Sequence, residues 1–339
     1  MATAQKEQRY CAMCLEPIEP DKVKVCGQCH KRAYCSRECQ TADYKPGGGG
    51  QGHKNWCQLE CGEEGIDWKV CPVPGKGLGI VALRDLPMRY RIIVEADRPK
   101  HPKALELVPL KGTMVEKFAA NSIACPGSRN GGLFLRISRA NHDCNANAAH
   151  ILDETFNVLV LYARRPISVG EEICHQYVQW NEISINRPIS DARQSLRSRG
   201  IECPPDCICR NSEVEAILDK GRRIEASVPA LARSRKFKET YAAIEELLKL
   251  YDVINSSWQT KAVTMEEGFQ TALLEQNLEK AEYYISRFYE INVAILSPES
   301  KRAKRCEPLL NLLKRKCVGR AAKAQLCSEL LNEMQTWVM

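Results

Sequence analysis

Cysteine and histidine carry the plainest chemistry in this chain, and they come in pairs. Cys11-x2-Cys14, Cys26-x2-Cys29, Cys35-x3-Cys39 and His53-x3-Cys57 follow one another between residues 11 and 57. A C-x2-C turn delivers two sulfurs to one metal, and an x3 spacing puts both ligands on one face of a short helix, one turn apart. Eight ligands are enough for two tetrahedral zinc sites. Seven of them are cysteines, so a histidine must complete the set. His53 makes a pair with Cys57, whereas His30 is crowded against Cys29. A sequential scheme would put the first four cysteines on one metal. An interleaved scheme would join Cys11, Cys14, Cys35 and Cys39, leaving Cys26, Cys29, His53 and Cys57 for the other, and spacing alone does not choose. No apolar h-region opens the chain, so no secretory signal is visible, and eighteen cysteines in a reducing compartment argue for metal rather than disulfides.

Three polar stretches lie further along. Asn141-His142-Asp143-Cys144-Asn145-Ala146-Asn147 packs three amides, an imidazole, a carboxylate and a thiol together; a turn is the plain reading of such a cluster. Gly75-Lys76-Gly77-Leu78-Gly79 would let a ligand approach the backbone, although a bare Gly-x-Gly is more often a turn. Val169-Gly170-Glu171-Glu172-Ile173-Cys174-His175-Gln176-Tyr177 leads from a turn into a strand ending at a tyrosine.

The elements that must position these residues change character along the chain. After Trp68, short β-branched runs read as strands: Ile80-Val81-Ala82-Leu83, Arg91-Ile92-Ile93-Val94, Val158-Leu159-Val160-Leu161 and the surroundings of Ile173. Pro87, Pro99, Pro102, Pro109 and Gly112 interrupt them, and one helix is expected near Thr113–Asn121. Long alternating helices are missing, so the pattern does not suggest a doubly wound α/β fold. From Ser212 the pattern turns helical, with Tyr241, Ile244, Leu247, Leu248 and Tyr251 on one face. Four to six helices are expected there, with breaks near Gly221, Pro229, Asn255-Ser256-Ser257, Ser297-Pro298 and Gly319.

The formal charge of +7 invites a nucleic-acid reading, but its distribution does not. Residues 1–70 are neutral, residues 71–210 carry +5 and residues 211–339 carry +2. Eleven zinc-bound thiolates on three Zn²⁺ would lower the total to +2. Gripping phosphates needs clustered, uncompensated Lys and Arg, so nucleic acid is not expected as a partner. No apolar run approaches the ~18 residues that would span a bilayer.

Tyr34-Cys35-Ser36-Arg37-Glu38-Cys39-Gln40 and His53-Lys54-Asn55-Trp56-Cys57 resemble the MYND-type zinc finger. That resemblance implies the interleaved ligand scheme and a peptide-binding role, commonly for proline-rich ligands. The Gly47-Gly48-Gly49-Gly50 stretch lengthens the spacing before His53. Residues 70–210 resemble the SET-domain protein-lysine methyltransferases through Gly77-Leu78-Gly79, Asn141–Asn147, and Gly170-Glu171-Glu172-Ile173 with Tyr177. Asp143 stands where the family usually has Ser, and Ala146 where it has Pro. The resemblance implies a knotted β fold that binds S-adenosylmethionine on one face and lysine on the other. Cys203, Cys207 and Cys209 sit where a post-SET zinc cluster would, and Cys144 is the obvious fourth ligand. The SMYD group also joins these two modules, but there the finger interrupts the SET domain, whereas here it precedes it.

These readings imply an α+β protein: a MYND finger over residues 10–61, a SET domain over 68–200, a post-SET cluster over 201–211 and a helical domain over 212–339. Three structural zinc ions are expected. Tyr177 would be the catalytic residue, and Lys76, Gly77, Leu78, Gly79, Asn121, Asn141, His142 and Tyr177 would bind the cofactor, with Phe134 and Trp180 as pocket walls or core. The implied function is S-adenosylmethionine-dependent protein-lysine methylation of a histone or non-histone substrate by an intracellular monomer in nucleus or cytoplasm. A catalytically inactive MYND/SET adaptor that binds partner peptides is the alternative.

Overall fold

The computed structural model describes residues 9–45, 52–59, 61–97, 113–123, 131–180, 183, 188–315 and 319–335. The stretch Gly47–Gly50 and the interruptions at Pro99, Pro102, Pro109 and Gly112 lie outside them. The chain divides into two compact units, Met1–Asn141 with His150–Cys174, and His142–Ala149 with His175–Met339.

The first unit opens with two short antiparallel hairpins, β1 (Arg9–Tyr10) with β2 (Pro17–Ile18) and β3 (Lys24–Val25) with β4 (Ala33–Tyr34). Helix α1 (Arg37–Tyr44) follows, capped by Ser36, whose side chain accepts from the Cys39 N–H. So small a module cannot build a large core. Its buried centre is Cys11, Ile18, Cys26, Tyr34 and Cys57, which means that ligand cysteines do the work of core residues. A buried carboxylate, Asp43, adds a polar tie: it accepts from Arg32 Nε at 2.6 Å and from the Tyr34 hydroxyl at 2.8 Å.

Beyond the finger, β5 (Trp68–Val73) and β6 (Gly77–Ala82) pair in register from Trp68↔Ala82 to Val73↔Gly77. Gly75 and Gly77 both take left-handed conformations in the connecting turn, at φ of 74° and 79°, where glycine carries no Cβ penalty. With β10 (Asn141–His142) and β13 (Glu172–His175) they form a sheet ordered β10-β13-β6-β5. A second sheet is ordered β11-β12-β7, from β7 (Arg91–Ala96), β11 (Ala148–Asp153) and β12 (Val158–Ala163). All of β12 is buried, as its unbroken apolar run Val-Leu-Val-Leu-Tyr-Ala requires. Strands β8 (Ser122–Ile123) and β9 (Gly132–Leu133) complete the set, and helix α2 (Met114–Asn121) starts at a capping box made by Thr113 and Glu116.

The second unit is helical: α3 (Ile189–Arg197), α4 (Ser212–Arg233), α5 (Phe237–Val253), α6 (Trp258–Glu275), α7 (Leu278–Ile295), α8 (Lys301–Lys304), α9 (Cys306–Leu313) and α10 (Arg320–Gln335). Helix α4 packs on α5, α5 on α6 and α6 on α7. The last pair approaches closely at Gly268, where a Cβ would lie 2.6 Å from the Tyr284 ring. Breaks do fall at Asn255–Ser257, Ser297-Pro298 and Gly319. Those expected at Gly221 and Pro229 do not, because both residues lie inside α4. Gly221 is there for contact: a Cβ would lie 2.2 Å from Ile183 Cδ1. An additional break comes at Gln276, which ends α6 in a left-handed conformation. Seven described helices therefore follow residue 211, against the four to six expected. Among the described residues no helix is long and apolar enough to cross a membrane.

Candidate functional site

Three groups of thiols and imidazole converge. Cys11, Cys14, Cys35 and Cys39 form one, Cys26, Cys29, His53 and Cys57 the second, and Cys144, Cys203, Cys207 and Cys209 the third; within each, the ligand atoms lie within 4.8 Å of one another. In the first, Cys14 and Cys35 Sγ are 3.6 Å apart, as are those of Cys35 and Cys39. In the second, Cys26 and Cys57 Sγ are 3.6 Å apart, and Cys29 Sγ lies 3.3 Å from His53 Nε2. In the third, the Cys144–Cys203 and Cys207–Cys209 separations are 3.5 and 3.4 Å. A tetrahedral Zn²⁺ with bonds of about 2.3 Å to sulfur has S···S edges of about 3.8 Å. All three clusters fit zinc.

The arrangement is interleaved, and His53, not His30, joins it. His30 sits in a left-handed turn at φ 57°. Burial holds the His53 imidazole down at about 4, so the ring is neutral at physiological pH, the form that binds a metal. Trp56 holds the ring edge-on, 4.5 Å between centroids. The helical account of the x3 pairs needs correction. Cys35 precedes the Ser36 cap, so only Cys39 is on α1, and Cys57 lies beyond the 3-10 turn His53–Asn55. In the third cluster the surroundings oppose ionisation of the thiols. Burial, then the neighbouring Cys207 and Cys209 thiolates, push the Cys144 thiol far above its ordinary range, and burial, then the hydrogen bond with Cys207, raises Cys209 to about 12. A bound Zn²⁺ reverses that balance, because it stabilises each thiolate that its neighbours would otherwise repel.

Asn141 belongs to the first unit. Its amide nitrogen donates to the Leu78 carbonyl at 3.1 Å and to Glu172 Oε1 at 2.8 Å. Lys76 Nζ donates to the other oxygen of Glu172, also at 2.8 Å. Both N–H bonds of Asn141 are thus spent on tying Gly77-Leu78-Gly79 to the start of β13, and its Oδ1 is the atom left for other use. Gly79 makes this approach possible: a Cβ there would lie 2.8 Å from both Asn141 Nδ2 and Glu172 Oε1. Around Gly77, by contrast, a Cβ would meet nothing within 4 Å.

His142 belongs to the second unit. Its Nδ1 accepts from the Tyr177 backbone N–H at 3.2 Å, and its Nε2 lies 3.3 Å from Cys144 Sγ. An accepting Nδ1 leaves the proton on Nε2, directed at the sulfur. The ring therefore links a zinc-cluster ligand to the tyrosine segment. Rings of His142 and His175 lie 5.6 and 5.1 Å from that of Tyr177, centroid to centroid, and Tyr177 is half-buried. Gln176 Nε2 donates to the Cys144 carbonyl at 2.8 Å. Asp143 Oδ1 accepts from the Asn145 N–H at 2.7 Å, a local turn of the kind that a serine makes more weakly.

Asn121 donates to the Lys117 carbonyl one turn back in its own helix. Phe134 and Trp180 are fully buried. Two residues that were not candidates in the sequence also hold this segment: Glu172, whose pairing with Asn141 has no local signature, and Gln176, which holds the Cys144 carbonyl.

Comparison with known proteins agrees with this geometry. The MYND finger family model matches residues 11–57, and the SET domain model matches residues 77–178. A histone-lysine N-methyltransferase, set5 of Schizosaccharomyces pombe, is 27% identical over 143 residues, covering 35% of this chain and 44% of that protein. SET domain-containing protein 14 of Caenorhabditis elegans is 25% identical over 205 residues, 50% of this chain and 45% of that protein. The chain spans less than half the length of either relative. The protein is thus built from a MYND finger and, C-terminal to it, a SET domain, the domain of lysine methyltransferases such as the first of these relatives.

Proposed function

We propose that this protein is an S-adenosylmethionine-dependent protein-lysine N-methyltransferase whose MYND finger binds peptides. The observation that carries it is the SET match over residues 77–178, which takes in the glycine motif, Asn141-His142, the Gly-Glu-Glu turn and Tyr177. The residues suit the cofactor. The left-handed Gly75–Gly77 turn leaves bare backbone for a charged amino-acid group to approach, and Asn141 Oδ1 is an acceptor for its ammonium. When bound, the cofactor supplies an activated methyl group on a sulfonium.

What the chain must then do is position a neutral amine and exclude water. Tyr177 is the proposed catalytic residue, its hydroxyl orienting the acceptor and taking weak C–H···O contacts from the methyl group. His142 fixes the Tyr177 backbone through Nδ1. The substrate class is a lysine-bearing protein, and histones are the first to test, given what the fission-yeast relative's name says of that protein. Proline-rich peptides are the first ligands to test on the finger.

Calorimetry with S-adenosylmethionine on the full chain should give binding, and labelled-methyl assays over histones should give transfer. Tyr177→Phe should bind the cofactor within about twofold of wild type and lose roughly 100-fold or more in turnover. A chain that binds no S-adenosylmethionine would leave the adaptor reading in possession.

A further inference from the structure

Helix α5 ends at Val253 in a motif that glycine usually completes. Asn255 takes the left-handed conformation at φ 50°. Its N–H bonds to the Asp252 carbonyl at 3.2 Å, and the Ser256 N–H bonds to Tyr251 at 2.8 Å. These are the two hydrogen bonds of a Schellman cap, whose left-handed position most often holds glycine. Asparagine tolerates that conformation, but a cap alone does not require its side chain. Here the side chain is used. Asn255 Nδ2 donates to the Ala146 carbonyl at 2.8 Å and lies 3.3 Å from Asn145 Oδ1. Ala146 is buried, so its carbonyl has little water to turn to. The loop carrying Asn255 is itself firmly set: Ile254 and Ser256 are each 1% exposed, and Ser257 caps α6.

The turn His142–Asn147 is thus held from three directions. Cys144 Sγ belongs to a zinc-fitting cluster, Gln176 holds the Cys144 carbonyl, and Asn255 holds the Ala146 carbonyl. The first two come from the SET and post-SET segments. The third comes from the helical region, more than 100 residues later in the chain.

We propose that Asn255 is a positioning residue for cofactor binding, the point at which the C-terminal helices fix the shape of the His142–Asn147 turn. This inference rests on the reading of that turn as part of the S-adenosylmethionine site. It makes the helical region a working part of the enzyme rather than an appendage.

Asn255→Gly separates this role from helix capping, since glycine suits the left-handed position and only the side-chain amide is lost. The full-length variant should keep its melting temperature and three equivalents of zinc. Amide hydrogen exchange at residues 142–147, measured without cofactor, should quicken by about fivefold or more, and the Kd for S-adenosylmethionine should weaken by about three- to tenfold. KM for the cofactor should rise while kcat at saturation stays within about twofold, which general loosening of the fold would not produce. Asn255→Asp keeps the size and the backbone preference but turns an acceptor toward Ala146, so it should not restore binding. Wild-type exchange protection at 142–147 in Asn255→Gly overturns the proposal, and so does faster exchange with an unchanged Kd. If the wild-type protein binds no S-adenosylmethionine, the methyltransferase reading falls, and the exchange measurement still decides whether Asn255 holds the turn.

Discussion

The contact between Gly79, Asn141 and Glu172 can be broken by one methyl group. In Gly79→Ala the new Cβ would lie 2.6 Å from Val73 Cγ2 and 2.8 Å from Asn141 Nδ2 and Glu172 Oε1. Ordinary contact needs about 3.5–4.0 Å, so each neighbour must retreat by roughly 1 Å. Val73 can turn its half-buried side chain away. Asn141 cannot do so freely, because the amide that would move also bonds the Leu78 carbonyl. The hydrogen bond to ionised Glu172 is worth about 1.5–3 kcal/mol, and overpacking costs about 1–3 kcal/mol. Together they predict a loss of about 2.5–6 kcal/mol in stability of this unit and, with Asn141 displaced, at least about tenfold in cofactor affinity. Gly65→Ala, outside the glycine motif, is the control. Its Cβ meets nothing within 4 Å, but its φ of 85° is left-handed, so it should lose about 1–2 kcal/mol of stability with Asn141 in place. Denaturant melts and calorimetry with S-adenosylmethionine measure both. If the two variants bind cofactor equally well, Asn141 is not held by the glycine strand and the reasoning fails.

Cys144→Ser should lower the zinc content from three equivalents to two by elemental analysis and weaken cofactor binding at the same time; an unchanged zinc stoichiometry would refute it. Glu267, on α6, is raised from 4.5 to about 7 by burial and then by the Glu225 and Glu266 carboxylates. The folded state therefore holds this proton more tightly than the unfolded one, and the resulting penalty is absent below pH 4.5 and complete above pH 7. Glu267→Gln should accordingly stabilise the protein by something on the order of 2–3 kcal/mol at pH 8 and by almost nothing at pH 4.5. Equal melting shifts at both pH values would show that Glu267 is not the group that titrates.

The metal clusters were legible because zinc ligation imposes short, repeated spacings on the chain, and His53 stood out over His30 through its partner Cys57. The α+β class was legible in the change from β-branched runs to helical periodicity near residue 212. What escaped was decided by partners distant in sequence. Gly221 and Pro229 look like helix breakers, but α4 runs through both, and at the first a Cβ would lie 2.2 Å from Ile183 Cδ1, so a larger side chain would have to displace it. Gln276 ends a helix in a left-handed conformation that its residue type does not advertise. In the candidate site the same holds. The motif spelled out Asn141 and His142, but not that one would spend both amide hydrogens on Leu78 and Glu172, nor that the other would span Tyr177 and a cluster cysteine.

The position of the finger ahead of the glycine motif raises the question of what seats it, and the first unit answers it through side chains and backbone. Leu15 is only 6% exposed, yet it stands apart from the finger's own core and packs with Leu133, Phe118 and Leu135 of the SET region. The connecting segment is pinned as well. Lys31 Nζ donates to the Cys61 carbonyl at 2.6 Å, and the Gly62 N–H donates to the Arg91 carbonyl at 2.8 Å. Gly62 tolerates no side chain, since a Cβ would lie 2.7 Å from the Ile92 carbonyl oxygen. An apolar knob from the loop after Cys14 and a linker locked to β7 seat the finger without any need for it to be inserted in the SET domain. Its placement comes from these contacts, so chain order is free to differ while the docking stays specific.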